Sequence, residues 1–232
     1  MQHRSIRGRL LYTGPDGERG REWFTFTVHG DGSRILRAQS EIEEGQVLRD
    51  VTYALGADWR PRHCAVSLRV MDRFVGSGWF LFDDRQATCE TFTAAEGRIS
   101  QRVATPGRVR AFGSHAITAD GLMTAIYDYA GPSRQHFDNM YMSSYAFNGA
   151  TGPYLLPISF GFDYLGLEDV EVPAGRFRCH RLRYVLEGSA VDGHPTYDNW
   201  VTADGDCVIV KAFVSTPKDY LYELVEFERQ GG

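Results

Sequence analysis

Short segments in which apolar and polar residues alternate recur along most of the chain, separated by turn sequences. In residues 23–28, for example, Phe24, Phe26 and Val28 share one face of an extended segment. A Gly-Asp-Gly turn follows at residues 30–32. The pattern predicts strands over residues 8–12, 23–28, 35–42, 46–54, 63–71, 78–82, 88–93 and 98–103, and again over 170–186 (with a turn), 196–201, 207–214 and 220–227.

Several of these segments are partly apolar on both faces, which is typical of a sheet that is covered on both sides. Trp23, for example, faces away from Phe24 and Phe26. The regular spacing of strands and polar turns favours an antiparallel meander over alternating strands and helices. We therefore predict a mainly β protein with a single domain over residues 1–232. In it, one strongly curved antiparallel sheet or open barrel wraps around one or two helices.

The segment from about residue 118 to 166 differs from the rest of the chain, because Tyr, Phe, Met, Gly and Pro dominate it. Apolar residues at helical spacing predict two helices within it. The first carries Leu122, Ala125, Ile126 and Tyr129, and the second carries Phe137, Met140, Tyr141 and Tyr145. The aromatic content predicts a lid or plug that closes a cavity. A surface for a partner protein is the alternative interpretation.

The C-terminal region contains four features in a fixed order. They are Gly-Arg-Phe at 175–177, a strand bearing Trp200, an Asp-Gly turn at 204–205 and Val-Ile-Val-Lys at 208–211. This order resembles the closing strands of the LolA-like lipoprotein-carrier superfamily. The resemblance implies a curved antiparallel sheet around one or more helices, with a concave side that binds acyl chains or other apolar molecules.

Charge and cysteine content limit the partners that we expect. The net charge is −5 and Lys and Arg form no cluster, so a nucleic acid is not an expected partner. No stretch of roughly 18 apolar residues predicts a membrane span. The first residues lack the apolar core of a secretion signal, so we expect a cytoplasmic protein with free, buried thiols at Cys64, Cys89, Cys179 and Cys207. The sequence leaves a homodimer open.

Four residues in the C-terminal half are candidates for acid–base chemistry. His180 and Tyr184 lie four positions apart in one predicted strand, so they share a face. Asp198 lies on the next strand, paired through a turn at 192–193, where an enclosed site would raise the pKa of its carboxyl. Tyr184 and Tyr197 are candidate donors to a substrate oxygen. The alternative is structural: a histidine with one hydrogen bond and a solvated aspartate.

Aromatic and histidine side chains are the predicted walls of the cavity. We expect the ligand-binding residues to be Trp23, Trp79, His136, Tyr141, Tyr145 and Trp200. No cofactor is expected, because Gly-rich phosphate loops and dinucleotide fingerprints are absent from the sequence. No motif has the spacing of metal ligands, although folding could bring together His63, His115 and His180.

Two functions remain open from the sequence. The first is a soluble protein that binds a small apolar or aromatic molecule in an enclosed β-sheet cavity. The second is a cofactor-independent enzyme, an isomerase, lyase or hydrolase, that acts on such a molecule through Tyr, His and Asp side chains. The polar residues among the aromatic ones favour the enzyme slightly, because a carrier of lipids is expected to have a more aliphatic cavity.

Overall fold

The computed structural model describes residues 3–185, 196–215 and 219–231 of the 232-residue chain. In this part of the chain, one short α-helix, α1 (Ile117–Met123), leads into a 3₁₀ turn (Thr124–Ile126). The strands are β1 (His3–Gly14), β2 (Gly17–His29), β3 (Arg34–Ile42), β4 (Val47–Leu55), β5 (Pro61–Val70), β6 (Arg73–Phe82), β7 (Gln86–Thr93), β8 (Gly97–Ala104), β9 (Phe112–Gly113), β10 (Arg134–Met142), β11 (Leu156–Val172), β12 (Gly175–Val185), β13 (Thr196–Thr202), β14 (Ile209–Ser215) and β15 (Tyr220–Gln230).

The strands form one large curved sheet that does not close into a barrel. Strands β1 to β8 follow one another on one side of the sheet, and β15 back to β9 follow on the other side. The two sides meet where β1 and β15 pair antiparallel, with Ser5 opposite Gln230. Strands β8 and β9 are the two edges. The predicted fold class, a mainly β protein with a curved sheet, is confirmed.

The alternating pattern locates most strands closely. The segments predicted at 35–42, 88–93 and 196–201 are the strands Arg34–Ile42, Gln86–Thr93 and Thr196–Thr202. Alternation is a clear signal in β3 and β7 because one face of each of these strands is buried and the other is more exposed. The turn predicted at 192–193 lies outside the described residues.

The second predicted helix is wrong, because Phe137, Met140 and Tyr141 lie on strand β10. The pairing of β10 with β11 shifts register between Phe137 and Met140, and Asn139 has a positive φ of 56°. A bulge of this kind leaves two residues unpaired and places the next buried side chain three positions along the chain. The bulge therefore gives a strand the spacing of apolar residues that is typical of a helix.

Helix α1 packs on one face of the sheet, which we call the inner face. Gly121 faces β14 there, and a Cβ at this position would lie 2.5 Å from Ile209 Cγ1 and 2.8 Å from the carbonyl oxygen of Cys207. Any side chain larger than hydrogen would push the helix away from the sheet. Leu122, Met123 and Ala119 are buried against the same face. A helix of one to two turns is unstable alone, so packing holds it in place.

The chain between β10 and β11 crosses the inner face near edge strand β8. A Cβ on Gly76 would lie 2.2 Å from the Gly152 carbonyl oxygen, so this strand position accepts only glycine. The side chain of Gln101 on β8 hydrogen bonds to both the backbone N–H (2.8 Å) and the carbonyl oxygen (3.2 Å) of Leu155. These contacts hold the irregular chain before β11 against the inner face at this edge of the sheet.

The inner face holds the main core of the protein. On β2, Phe24 and Phe26 are buried on this face, and Trp23 lies exposed on the outer face. The four cysteines are buried and unpaired, as expected. In the described ranges, no helix is both long and apolar enough to cross a membrane.

Candidate functional site

A buried carboxylate, Glu22, connects the sheet to the start of α1. Its Oε2 accepts hydrogen bonds from Tyr12 Oη (2.8 Å), Ser40 Oγ (2.7 Å) and the backbone N–H of Ile117 (3.0 Å). Its Oε1 accepts from the backbone N–H of Thr118 (2.8 Å) and from its hydroxyl group. These donors offset the cost of burying the charge, and two of them are the otherwise unpaired amides at the start of the helix.

Arg49 is a second buried charged residue, on the inner face of β4. Its side chain is 2% exposed, and its guanidinium donates hydrogen bonds to the carbonyl oxygens of His115 and Asn148. The residue therefore fixes the chain before α1 and the loop after β10 relative to the sheet. Gly149 makes this close approach possible, because a Cβ there would lie 2.3 Å from Arg49 Nη2.

A cavity of about 70 Å³ lies between α1, the loop at 147–148 and the inner face of β1–β3 and β13–β15. Its wall is partly open to solvent and combines aromatic and aliphatic side chains with a few polar groups. The lining residues are Tyr12, Arg19, Ile42, His115, Ile117, Asp120, Phe147, Asn148, Tyr197, Val214 and Tyr222. This volume holds several waters or a group of a few heavy atoms. We call it the Asp120 cavity.

Asp120 is the carboxyl group in the wall of this cavity. Tyr197 Oη donates a hydrogen bond to Asp120 Oδ2 at 2.9 Å, and Tyr184 Oη donates to the Asp120 carbonyl oxygen at 2.9 Å. Burial raises the pKa of the Asp120 carboxyl to about 7, and the charge of Glu22 adds to this increase. The hydrogen bond from Tyr197 acts in the opposite direction and lowers the pKa. The carboxyl group can therefore gain or lose a proton near neutral pH.

His115 lies on the opposite wall of the cavity and is neutral at neutral pH. Burial lowers the pKa of its imidazole to about 4, and the nearby charge of Arg49 adds to the effect. Its Nε2 lies 3.1 Å from the carbonyl oxygen of Ser144, so this nitrogen carries the hydrogen. His115 therefore contributes a fixed hydrogen-bond donor to the loop after β10.

The structure separates the four predicted catalytic residues into two groups. Tyr184 and Tyr197 lie on the inner face with their rings stacked 4.9 Å apart, and both bind Asp120. Asp198 points the other way, because neighbouring residues on a strand face opposite sides. His180 shares the inner face with Tyr184. In the pairing of β12 with β13, however, it lies opposite Val201, three residues beyond Asp198. The predicted pair of His180 and Asp198 is therefore not brought together.

The surroundings of His180 and Asp198 favour structural roles. Tyr164 Oη lies 3.0 Å from His180 Nδ1, and the ring of Tyr129 stacks on the imidazole at 4.0 Å. Burial would raise the pKa of the Asp198 carboxyl, but hydrogen bonds from Arg183 and Arg181 outweigh it and lower the pKa below its usual value. The expected increase in the pKa of Asp198 is thus wrong, since two guanidinium groups bind it.

None of the six predicted ligand-binding residues lines the Asp120 cavity. Trp79 is 54% exposed and Tyr145 is 73% exposed, and Trp23 and His136 are also exposed. Tyr141 is buried on β10. Trp200 is buried on the outer face, where the Arg181 guanidinium lies 4.6 Å from its ring. The sequence shows that these positions carry aromatic or histidine side chains, but it did not show which face of the sheet each side chain occupies.

The described residues contain no group of three or more His, Cys, Asp or Glu side chains that could hold a metal ion. Of the three histidines that folding could have brought together, His63 lies beside Trp79, His115 lies in the cavity wall and His180 contacts Tyr129.

The sequence interpretation missed three residues that build the site: Glu22, Arg49 and Asp120. Glu22 and Arg49 both occupy inner-face positions of strands that otherwise carry apolar residues there, such as Phe24 and Val51. A charge at a position that alternation assigns to the core is a signal for a buried polar network. Asp120 gave a weaker signal, because an acidic residue in a first helical turn is common.

Neither a protein-family model nor a curated protein sequence matches the chain. Solved structures resemble it at low sequence identity. A β-barrel-like protein of the domain of unknown function DUF1849 from Brucella abortus is 10% identical with a TM-score of 0.60, over 99% of this chain and 98% of that one. A DUF1089 family protein from Pseudomonas aeruginosa is 11% identical with a TM-score of 0.46, over 82% and 87% of the two chains.

A third similar structure, from Vibrio parahaemolyticus, is described as an outer membrane lipoprotein-sorting protein domain. It is 9% identical with a TM-score of 0.21, over 100% of this chain and 86% of that one. At these identities the comparisons concern the fold alone. The Brucella abortus structure, which matches almost the full length of both chains, shares its overall fold with this chain, whose curved sheet does not close into a barrel.

Proposed function

We propose that this protein binds a small molecule in the Asp120 cavity. The supporting observation is a partly open cavity with a mainly apolar and aromatic lining, into which one carboxyl group, that of Asp120, projects. Concave sites of this composition, with few polar groups, are typical of small-molecule binding. The fixed positions of α1 and the 147–148 loop, held by Glu22 and Arg49, favour a preformed site.

The volume of the cavity limits the ligand. Sites for drug-sized molecules usually have about 300–1,000 Å³, whereas this cavity has about 70 Å³. Helix α1 and the inner-face side chains fill the space that an acyl chain would need. The proposed ligand is therefore a molecule of a few heavy atoms, or a small group at the end of a longer molecule that leaves the cavity beside Phe147.

Nuclear magnetic resonance tests this proposal with isopropanol, tert-butanol and their amine counterparts as probes. The expected result is a saturable shift of the backbone amide resonances of Asp120, Tyr197 and Tyr222. Val214→Phe fills the cavity from β14 and should abolish the shifts. Val103→Phe, on an exposed position of β8, is the matched control and should leave them unchanged. Shifts that persist in Val214→Phe, or no shift with any probe, would contradict the proposal.

Acid–base catalysis in the same cavity is the second candidate function. It is favoured by the pKa of about 7 of the Asp120 carboxyl, because a general acid or base works best when its pKa is close to the ambient pH. Tyr197 would hold the carboxyl group and supply a hydroxyl beside it. Chemical change of a bound probe that requires Asp120 would establish catalysis, and recovery of every bound molecule unchanged would leave binding as the function.

A further inference from the structure

We infer that the ligand of the Asp120 cavity is a small organic cation, an ammonium group that pairs with the Asp120 carboxylate between aromatic rings. This inference rests on the proposed function, since it names the chemical class of the molecule that the cavity binds.

The buried charges around the cavity do not balance. Within the described residues that surround it, Glu22 and Asp120 are acidic, and Arg49 is the buried cation whose charge acts on both. Arg19 is also in the wall, but its guanidinium is paired with Glu44 at 3.0 Å. One carboxylate is therefore left without a counter-charge. Asp120 is half-buried in the wall of a partly open cavity, where a proton or a cation stabilises its carboxyl group.

The hydrogen bonds of the two acidic residues show which carboxylate is available. Glu22 is fully used, because both of its oxygens receive hydrogen bonds from α1 and the sheet. Among the described residues, the hydrogen bond to the Asp120 side chain comes from Tyr197 and reaches Oδ2. Asp120 Oδ1 is thus the oxygen at which an ammonium N–H would be received, in a charge-assisted hydrogen bond.

The aromatic lining suits a cation. The rings of Tyr12 and Tyr222 lie 4.8 Å apart in an edge-to-face arrangement, and Tyr197 stacks on Tyr184 beside Asp120. Phe147 stands at the rim with 61% of its surface exposed. Ring faces attract cations within about 6 Å, by about 0.5–2 kcal/mol each depending on desolvation. Outside the cavity, the protein already pairs a cation with a tyrosine ring in this way, since the Arg19 guanidinium lies 3.7 Å from the centre of the Tyr220 ring.

The protonation behaviour of Asp120 agrees with this assignment. Burial raises the pKa of its carboxyl to about 7, so in the empty cavity a proton takes the place of the missing counter-charge below that pH. A bound ammonium ion would compete with this proton. The titratable and charged groups that face Asp120 or share its cavity are Tyr12, Arg19, Glu22, Arg49, His115, Tyr184, Tyr197 and Tyr222.

The test compares tert-butylammonium with tert-butanol, which has the same shape without the charge, and with pivalate, which carries the opposite charge. Resonance shifts of Asp120 and Tyr197 give each dissociation constant at pH 8 in the wild type, in Asp120→Asn and in Asp138→Asn, an exposed control on β10. We expect the ammonium to bind at least tenfold more tightly than the alcohol in the wild type and in Asp138→Asn. Its affinity should fall up to about tenfold for each pH unit below 7, as the proton competes.

The outcomes separate the inference from the proposed function. In Asp120→Asn the preference for the ammonium should disappear while tert-butanol still binds, which shows that the cavity is intact. Equal binding of alcohol and ammonium by the wild type, tighter binding of pivalate, or a preference for the ammonium that survives in Asp120→Asn would overturn the inference and leave the proposed function standing. Failure of all three compounds to bind would overturn both.

Discussion

Tyr197 Oη lies 2.9 Å from Asp120 Oδ2 and donates a hydrogen bond to it, which joins strand β13 to helix α1 at the wall of the cavity. The hydrogen bond favours the ionised carboxylate and so opposes the effect of burial on its pKa. The tyrosine hydroxyl therefore lowers the pH at which Asp120 changes charge, while burial has the larger, opposite effect.

Replacing Tyr197 with Phe should raise the pKa of the Asp120 carboxyl further. A hydrogen bond to a charged group stabilises by about 1.5–3 kcal/mol, so we expect an increase of about 1 or more in the pKa. A nuclear magnetic resonance titration of the Asp120 side-chain carbon measures it. Tyr184→Phe is the matched control, because its hydroxyl binds the Asp120 carbonyl oxygen instead of the carboxyl group. An unchanged pKa in Tyr197→Phe would rule out this role.

Asp120 and His115 should give opposite pH dependences of stability. In the folded protein the pKa of the Asp120 carboxyl is about 7, against an ordinary value of 3.8. Between about pH 4 and 7 the folded state therefore binds more protons than the unfolded chain, and this residue lowers the free energy of unfolding as pH rises. The pKa of His115 falls from 6.5 to about 4 on folding, so the unfolded chain binds the extra proton, and this residue raises the free energy of unfolding between about pH 4 and 6.5. Each effect amounts to at most about 1.4 kcal/mol per pH unit.

Urea unfolding of single variants separates the two effects. In the wild type the contributions of Asp120 and His115 should largely cancel between pH 4.5 and 6.5. Asp120→Asn should gain stability as pH rises across this range, and His115→Gln should lose stability as pH rises toward 7. Parallel pH profiles for the wild type and both variants would contradict this account.

Glu22→Gln should destabilise the protein by about 2–4 kcal/mol, although the side chain keeps its shape. An amide nitrogen would replace one acceptor oxygen and would face the backbone N–H groups of Ile117 or Thr118, which need an acceptor. Urea unfolding measures the loss, and hydrogen exchange in residues 117–123 should show that α1 loses protection first. Glu18→Gln, an exposed position on the same strand, should cost less than about 1 kcal/mol. A loss as small as that of the control would disprove the role of Glu22.

Gly149→Ala should destabilise the protein by about 3 kcal/mol or more, because two costs add. The residue has a positive φ of 68°, and a Cβ there would lie 2.3 Å from Arg49 Nη2 and 2.7 Å from His115 Cβ. Gly97→Ala is the matched control, since its φ is 73° and the space around its Cβ position is open. That variant should show the backbone strain alone, about 1 kcal/mol. Equal losses in thermal unfolding would mean that Arg49 moves aside.

The positions of the strands could be predicted from the sequence, because the alternation of apolar and polar residues is a local signal. Residues 35–42 carry it clearly, and they form β3. The pattern failed at β10, where the bulge beside Asn139 changes the spacing between Phe137 and Met140. A bulge depends on how two strands pair, so a single segment does not reveal it.

The site was harder to predict from the sequence, because its residues come from distant parts of the chain. Asp120 meets Tyr197 only when α1 packs on β13, and Glu22 meets Thr118 across 96 positions. Strand alternation correctly predicted that His180 and Tyr184 share one face of β12. The sequence interpretation also placed Asp198 at the site, because nothing in the local sequence shows that Arg181 and Arg183 bind its carboxylate.

The pairing of β1 with β15 makes the middle of the sheet depend on a strand that is synthesised after all the other described strands. The ribosome releases β1 first, and this strand has β2 on one side but lacks its other neighbour until β15 has been made. During that interval its backbone amides and carbonyls form an open edge that can pair with another nascent chain. Ser5 and Gln230 must then pair across the 225 positions that separate them, which favours slow folding. We therefore expect a chaperone that covers the N-terminal strands during translation to increase the yield of folded protein.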